Sequence, residues 1–211
     1  MNPWLQQLVE QILATSWLEW TAVVLAIGYL VLAAHQSLWC WLAAGISCVI
    51  YTQLMFGAKL YMEAGLQVIY VLLAGYGWWQ WRYGKAQIDA QQVSALSWRF
   101  HVLWCVVLAV LAAALAWTLQ TFTDADAVWL DSYTTVYSLF ATWLLTRKQF
   151  ANWWYWLVID AIYVYLYSSK GFVITGGLYG VYLGLVVYAM WQWRVGAHGA
   201  AGKEQQCSSS G

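Results

Sequence analysis

Carboxyl and amide side chains occur inside stretches of this chain that are otherwise apolar. Asp160 stands in the middle of one such stretch and Gln67 near the middle of another, while Glu63, Asp131 and Asn152 lie nearer to the ends of theirs. Away from water these groups are costly, and they typically mark a ligand site, an ion path or a proton relay. They are therefore the first candidates for the chemistry of this protein.

The remaining reactive side chains form no catalytic or metal-binding pattern. The 4 cysteines and 3 histidines show neither CxxC nor zinc-ligand spacing. No Ser–His or paired-carboxylate motif suggests an intramembrane enzyme. We predict a protein that is not an enzyme and that has no catalytic residue, no metal and no cofactor.

The composition determines the solvent in which these groups must be positioned. Of the 211 residues, 63% are hydrophobic and 9% are charged, against roughly 45–50% and about 25% in soluble domains. Such a chain cannot cover a water-facing surface, so its surface must face lipid. Equal numbers of basic and acidic residues, 9 each, also argue against a nucleic-acid partner.

Seven segments are long and apolar enough to span a bilayer. They cover 17–34, 38–56, 60–81, 98–120, 128–146, 151–168 and 172–194. We predict an all-α integral membrane protein with seven transmembrane helices. Residues 1–16 are expected to form an amphipathic lead-in, 195–211 a cytoplasmic tail, and the part of that tail from His198 onward to be disordered.

Basic residues indicate the orientation in the membrane. With seven alternating helices, one side holds Arg82, Lys85, Arg99, Arg147, Lys148, Arg194 and Lys203, which leaves Lys59 and Lys170 of the 9 for the other side. Because positive charge favours the cytoplasm, we expect an external N-terminus and a cytoplasmic C-terminus.

Two parts of the chain are similar in sequence. Residues 60–84 match 172–196, most clearly where Trp79-Gln80-Trp81-Arg82 corresponds to Trp191-Gln192-Trp193-Arg194. The difference between matching residue numbers is constant, as from 60 to 172, and we call it the repeat offset. We predict a first three-helix repeat at 17–81, a linker helix at 98–120 and a second three-helix repeat at 128–194. With one helix between them, the repeats run parallel in a 3+1+3 arrangement, and parallel-repeat transporters bind substrate between their repeats. The tryptophans of the middle helices, 39–42 and 154–157, match only after a shift of a few residues.

Four of the predicted helices carry their polar and aromatic side chains on one face, at about 100° per residue. The face in 60–81 contains Glu63, Gln67, Tyr70, Gly77, Trp78 and Trp81, and the face in 151–168 contains Asn152, Trp156, Asp160, Tyr163 and Tyr167. The faces in 128–146 and 172–194 contain Asp131, Thr135, Ser138 and Thr142, and Thr175, Tyr179, Tyr182 and Trp193. We predict that these faces enclose a site inside the bundle.

The residue types predict what this site binds. Aromatic faces attract cations, and a buried carboxylate such as Asp160 needs a positive partner. A flat aromatic cation with an amide and hydroxyl groups would match all of these groups. The same residue types also suit a purely structural role, because Trp and Tyr are common at membrane interfaces and Gln and Asn join helices by hydrogen bonds.

The chain resembles the PnuC family of bacterial vitamin transporters over about 17–194. The resemblance lies in the order and spacing of Leu60-Tyr61, Leu66-Gln67, Tyr76-Gly77-Trp78-x-x-Trp81, Asp131-Ser132, Thr146-Arg147-Lys148, Asn152-Trp153-x-x-Trp156 and Asp160. It implies a homotrimer in the bacterial inner membrane that carries nicotinamide riboside for NAD biosynthesis by facilitated diffusion. Uptake without ATP would then be made one-way by phosphorylation inside the cell.

The resemblance also implies roles for single residues. Gln67 and Asn152 would hydrogen-bond the carboxamide or the ribose, while Asp160 would balance the cation or bind ribose. Trp81, Trp156 and Tyr163 would flank the ring, and Tyr70 and Tyr182 complete the predicted substrate-binding set.

Other functions remain open from the sequence. Thiamine and riboflavin are alternative substrates, because relatives that carry them share the scaffold. Glu63, Asp131 and Asp160 would allow proton-coupled uptake. A seven-helix sensor is the alternative from another class, although segment 172–194 lacks the lysine that a retinal protein needs.

Overall fold

Seven α-helices make up the part of the chain that this computed structural model describes, namely residues 16–57, 59, 61–84, 96–122, 128–169 and 173–209. The helices are α1 (Trp17–Ala34), α2 (Trp39–Gly57), α3 (Tyr61–Tyr83), α4 (Trp98–Phe122), α5 (Val128–Thr146), α6 (Asn152–Ser169) and α7 (Val173–Ser209). The predicted all-α, seven-helix architecture is confirmed. Except for Ser16, which caps α1 by accepting a hydrogen bond from the Glu19 amide at 3.2 Å, the predicted lead-in lies outside the described residues.

The last helix is longer than the sequence suggested. The chain stays helical through Ser209, so the expectation of a disordered segment from His198 onward is wrong. The residues from Ala200 to Gln206 are mostly Ala, Lys, Glu and Gln. These are strong helix formers, and they extend a helix that has already begun in the membrane.

Three helices, α1, α2 and α4, are long and apolar enough to cross a membrane by length and composition alone. The other four, α3, α5, α6 and α7, are the helices to which the sequence analysis assigned polar faces. Their lower apolarity is therefore concentrated on the side that packs inside the bundle, where Tyr70, Ser138, Asp160 and Tyr182 are buried or half-buried.

Helix packing follows the repeat. Within each repeat the helices pack in chain order, α1 on α2 on α3 and α5 on α6 on α7, while α4 packs on α5. Between the repeats, α1 packs on α7 and α3 packs on α5. The repeat offset relates α1 to α5 and α7 to α3. The contact between α1 and α7 therefore corresponds to the contact between α5 and α3, and the two contacts are equivalent. Such an equivalence is what a two-fold axis between parallel repeats produces, and the two contacts close six helices into a ring.

The ends of α1 and α5 show the same symmetry in their backbone. After α1, the Ser37 amide bonds to the Leu32 carbonyl at 2.9 Å, and Gln36 has a φ of 54°. At the equivalent place after α5, the Gln149 amide bonds to the Leu144 carbonyl at 3.0 Å, and Lys148 has a φ of 50°. Both are Schellman turns with a left-handed residue after the helix.

A pair of tryptophans packs edge-to-face in each repeat. The rings of Trp41 and Trp81 are 5.3 Å apart at 87°, and those of Trp153 and Trp193 are 5.4 Å apart at 88°. Trp41 corresponds to Trp153 at the unshifted repeat offset. The shift expected for the middle helices is therefore wrong, because α2 and α6 keep the same register as the other helices.

The close approach of α2 and α3 depends on Gly77. A Cβ at this position would lie 2.5 Å from the Trp41 ring, whereas a Cβ at Gly75 would meet nothing within 4 Å. We therefore expect Gly77→Ala to destabilise the protein by about 1–3 kcal/mol, the usual cost of overpacking. Thermal unfolding of the purified protein, followed by tryptophan fluorescence, measures this. Gly75→Ala is the matched control, and equal midpoints for the two variants would contradict the prediction.

Candidate ligand-binding site

A hydrogen bond joins the two repeats near the middle of the bundle. The hydroxyl groups of Tyr70 on α3 and Ser138 on α5 lie 2.5 Å apart. Ser138 is buried and donates in turn to the Thr135 carbonyl at 2.9 Å, so that Tyr70 donates in the cross-repeat bond. The polar faces predicted for 60–81 and 128–146 thus meet at mid-span.

We expect the bond between Tyr70 and Ser138 to stabilise the bundle measurably. A double-mutant cycle with Tyr70→Phe and Ser138→Ala should give a coupling free energy of about 0.6–1.7 kcal/mol, as for other hydrogen bonds between membrane helices. Unfolding in mixed detergent measures the four stabilities. Tyr76→Phe on the same helix is the control, and zero coupling would contradict the bond.

Tyrosines of α6 and α7 form the rest of the site. The Tyr163 hydroxyl on α6 donates to Thr134 Oγ1 on α5 at 2.7 Å, and the Tyr163 ring stacks on Tyr179 of α7 at 4.6 Å. Tyr167 stacks on Tyr179 at 5.5 Å, and Tyr182 meets Tyr179 edge-on at 5.8 Å. These contacts give α6 and α7 a continuous aromatic surface that faces the other repeat.

Asp160 lies at the centre of this aromatic surface. It is 4% exposed, and its carboxyl group interacts electrostatically with the hydroxyl groups of Tyr163, Tyr179 and Tyr182. Among the residues that the structure describes, none donates a hydrogen bond to this carboxyl group and no Lys or Arg forms an ion pair with it. A buried carboxylate without a partner is costly, so the chemistry of this position favours a hydrogen-bond donor or a cation.

The repeat relates the parts of the site to one another. The repeat offset pairs Tyr51 with Tyr163, Tyr70 with Tyr182 and Cys48 with Asp160. The interactions between these residues obey the same correspondence, since Tyr70 neighbours Tyr163 and Cys48, while Tyr182 neighbours Tyr51 and Asp160. Sequence reasoning missed Cys48 and Tyr51. Applying the repeat offset to the predicted residues would have found both.

The predicted substrate-binding residues divide into two groups. Tyr70, Asp160, Tyr163 and Tyr182 come together at mid-span, and half-buried Gln67 lies one turn before Tyr70 on the same helix. Their roles in binding remain predictions, as do those of the second group.

Trp81, Asn152 and Trp156 form the second group, nearer to the end of the bundle that carries Arg82 and Arg147. Asn152 begins α6, about 12 Å along the helix from Asp160 at 1.5 Å per residue. Its amide nitrogen donates to the Gln149 carbonyl at 2.6 Å, and none of the described residues donates a hydrogen bond to its fully buried Oδ1. Trp156 packs against the buried core.

Trp81 has a counterpart with the same contact in the other repeat. The indole N–H of Trp81 donates to the Leu145 carbonyl at 3.2 Å, and that of Trp193 donates to the Ala33 carbonyl at 3.0 Å. Each bond runs from the third helix of one repeat to the end of the first helix of the other. We call these two bonds the tryptophan contacts.

Lys148 adds a charge beside one of the tryptophan contacts. Its ammonium group lies 4.9 Å from the centre of the Trp81 ring, within the range of a cation–π interaction. Partial burial in the turn after α5 lowers the pKa of Lys148. The contact thus holds the turn against α3.

Two cavities lie outside the site, since neither is lined by Tyr70, Tyr163 or Tyr182. One of about 430 Å³ lies between α4, α5 and α6 and is lined by residues that include Cys105, Tyr133, Tyr137 and Tyr155. Another of about 570 Å³ runs along α6 past Leu157, Ala161 and Leu166. Thr134 lies between the first cavity and Tyr163, because it lines the cavity and its Oγ1 accepts the hydrogen bond from the Tyr163 hydroxyl. Within the described residues, no group of three His, Cys, Asp or Glu is placed to hold a metal ion.

Comparison with known proteins agrees with this architecture. The model of a family described as nicotinamide mononucleotide transporter matches residues 16–195. The riboflavin/roseoflavin transporter RibM of Streptomyces davaonensis is 27% identical over 180 residues, which cover 84% of each chain. The nicotinamide riboside transporter PnuC of Escherichia coli is 25% identical over 185 residues, covering 74% of this chain and 76% of PnuC. The crystal structure of a vitamin B3 transporter PnuC superposes with a TM-score of 0.69 at 22% identity, covering 92% of this chain and 87% of that one.

Proposed function

The chain belongs to the nicotinamide mononucleotide transporter family, and from this premise we propose that it carries nicotinamide riboside across the bacterial inner membrane. Its curated relatives are vitamin transporters, and one of them is a nicotinamide riboside transporter. Seven helices with polar groups buried between two parallel repeats suit this activity.

The carboxyl group of Asp160, which no described residue compensates, is the observation that carries the choice of ligand. Nicotinamide riboside has a pyridinium ring, a carboxamide and ribose hydroxyl groups. Its positive charge would replace the missing partner of Asp160, and its ring would pack against the tyrosines. Gln67 and the hydroxyl pair of Tyr70 and Ser138 offer hydrogen bonds to the carboxamide or the ribose.

We assign the two groups of predicted residues to two places on the route. Gln67, Tyr70, Asp160, Tyr163 and Tyr182 would bind the ligand at mid-span. Trp81, Asn152 and Trp156 would line the path from there to the cytoplasm. This assignment keeps every predicted residue in contact with the ligand, but at different stages of its passage.

Transport would proceed by facilitated diffusion. The repeats would rock about the site and open it to one side of the membrane at a time. Because the ligand moves down its own gradient, no ATP is needed, and phosphorylation in the cytoplasm would prevent its return. We also propose the homotrimer and the external N-terminus that the resemblance and the Lys/Arg count imply.

A binding titration of the purified protein tests the proposal. Nicotinamide riboside, thiamine and riboflavin are added separately, and the fluorescence of the 18 tryptophans is followed. We expect the lowest Kd for nicotinamide riboside. Equal or tighter binding of riboflavin would instead select the activity in the name of the Streptomyces relative, whose ligand has no positive charge for Asp160 to balance.

Proton-coupled uptake is the second mechanism to be tested. Asp131 and Glu63 are exposed near one end of the bundle and Asp160 is buried deeper, so these carboxyl groups are arranged in the order that a proton relay would need. In liposomes with an imposed proton gradient and with a trapping kinase and ATP inside, facilitated diffusion predicts the same initial uptake rate before and after a protonophore is added. A loss of uptake would support coupling and contradict simple diffusion.

A further inference from the structure

The two sides of the candidate site differ in polarity although the repeat relates them. Thr134, Ser138 and Thr142 of α5 carry buried hydroxyl groups. The equivalent positions in α1, found by the repeat offset, hold alanine, alanine and leucine. A ligand between the repeats therefore meets different chemistry on two sides that have the same backbone.

The sharpest difference is between Asp160 and Cys48. In the ring of six helices, α6 and α2 lie on opposite sides, since each occupies the middle of its own repeat. Cys48 is partly exposed and neighbours Tyr29, Tyr51 and Tyr70. Its surroundings match those of Asp160, which neighbours Tyr163 and Tyr182. A thiol is a weak donor without charge, whereas a carboxylate attracts cations.

We propose that Cys48 contacts the ligand and that, together with Asp160 across the site, it determines the orientation of the ligand. The positively charged part lies toward α6 and the uncharged part toward α2. This inference rests on the proposed function, because it needs a ligand with two unlike ends. It adds a residue on α2 to a site whose predicted polar residues lie mainly on α3 and α6.

Thiol modification tests whether Cys48 contacts the ligand. Two variants keep a single cysteine, Cys48 or Cys105, with the other three replaced by alanine. Cys105 is the matched control, because it lies on α4, outside the ring of six helices, where its Sγ is 3.5 Å from the Tyr155 hydroxyl of α6. N-ethylmaleimide labelling is followed by intact-protein mass spectrometry, with and without nicotinamide riboside. At ten times its Kd, about one protein in eleven is free, so Cys48 labelling should slow about tenfold while Cys105 labelling is unchanged.

The outcomes separate this inference from the proposed function. Equal labelling of Cys48 with and without bound ligand, or no labelling of Cys48 while Cys105 reacts, would overturn the contact. Failure of the wild-type protein to bind nicotinamide riboside, thiamine and riboflavin would overturn the proposed function, and this inference with it.

Exchange of the two side chains tests the orientation. We expect Asp160→Cys to raise the Kd for nicotinamide riboside about tenfold or more. Adding Cys48→Asp should return the Kd to within about threefold of the wild-type value, because the carboxylate then stands at the symmetry-related place. Adding Cys48→Asn, which supplies no charge, should not restore binding. Equal Kd values for these two double variants would overturn the role of the pair in orienting the ligand.

Discussion

Replacing Asp160 with alanine is expected to weaken the binding of nicotinamide riboside about 10- to 100-fold. Hydrogen bonds and ion pairs to a buried charged group are worth about 1.5–3 kcal/mol, and each 1.4 kcal/mol is a factor of ten in Kd. The effect should be large here because no described residue compensates the carboxyl group, so that the ligand is its main partner. Fluorescence titration of the purified variant measures the change.

Glu63 is the matched control for this experiment. It is also a carboxylate on an inward-directed face, but it is exposed in the first turn of α3. Glu63→Ala should therefore leave the Kd within about twofold of the wild-type value, because the field of an exposed charge is screened by water and salt. Equal losses in the two variants would mean that overall negative charge, and not the position of Asp160, attracts the ligand.

Asp160→Asn then separates the two roles that the carboxylate can have. If Asp160 balances the pyridinium charge, asparagine should be about as harmful as alanine, because it has no charge. We expect this result, since the aromatic surroundings of Asp160 favour a cation. Retention of affinity in Asp160→Asn would show hydrogen bonding to ribose instead, and unchanged affinity in Asp160→Ala would remove Asp160 from the site.

The sequence predicted the helices well because the membrane limits what a chain can do. The predicted ends of α1 and α5, at residues 34 and 146, agree with the structure. Apolar length marks each span, and the repeat offset then locates the second repeat from the first. The periodicity also placed Tyr70, Asp160 and Tyr163 on inward faces, because a polar group in a helix has few places where lipid does not surround it.

The sequence did not predict which of these residues meet. Helical periodicity gives an angle around one helix, and so Trp81 and Tyr70 fell on the same face. Their different partners, the Leu145 carbonyl and Ser138, are set by contacts 64 and 68 residues away along the chain. Cys48 was overlooked for another reason. Cysteine counts as a small hydrophobic residue in an apolar helix, so only its relation to Asp160 makes it visible.

Replacing Trp81 and Trp193, the donors of the tryptophan contacts, should shift the protein toward a conformation that is open at the end of the bundle where these two residues lie. In Trp81→Phe/Trp193→Phe the aromatic packing is kept, but the bonds to the Leu145 and Ala33 carbonyls are lost. At about 0.5–1.5 kcal/mol each, the two bonds contribute about 1–3 kcal/mol to holding the repeats together. The ratio of open to closed protein should therefore rise about 5- to 150-fold.

The distance between the two repeats measures this shift. Arg82 and Arg194 are exposed, stand one residue after the tryptophans and correspond to each other at the repeat offset. Spin labels on Arg82→Cys and Arg194→Cys, in a protein without its native cysteines, report the distance by pulsed electron resonance. We expect a longer population to grow in the double variant, because the third helix of each repeat is released from the first helix of the other.

Trp79 and Trp191 provide a control with the same composition and symmetry. They precede the contact residues by two positions, correspond to each other at the same offset and are 53% and 59% exposed. Trp79→Phe/Trp191→Phe should leave the distance distribution unchanged, since neither side chain is buried between the repeats. If the Trp81/Trp193 variant gave the distribution of this control, the tryptophan contacts would only fix local packing. A longer population specific to the first variant would identify them as the bonds that must break before the bound vitamin can leave.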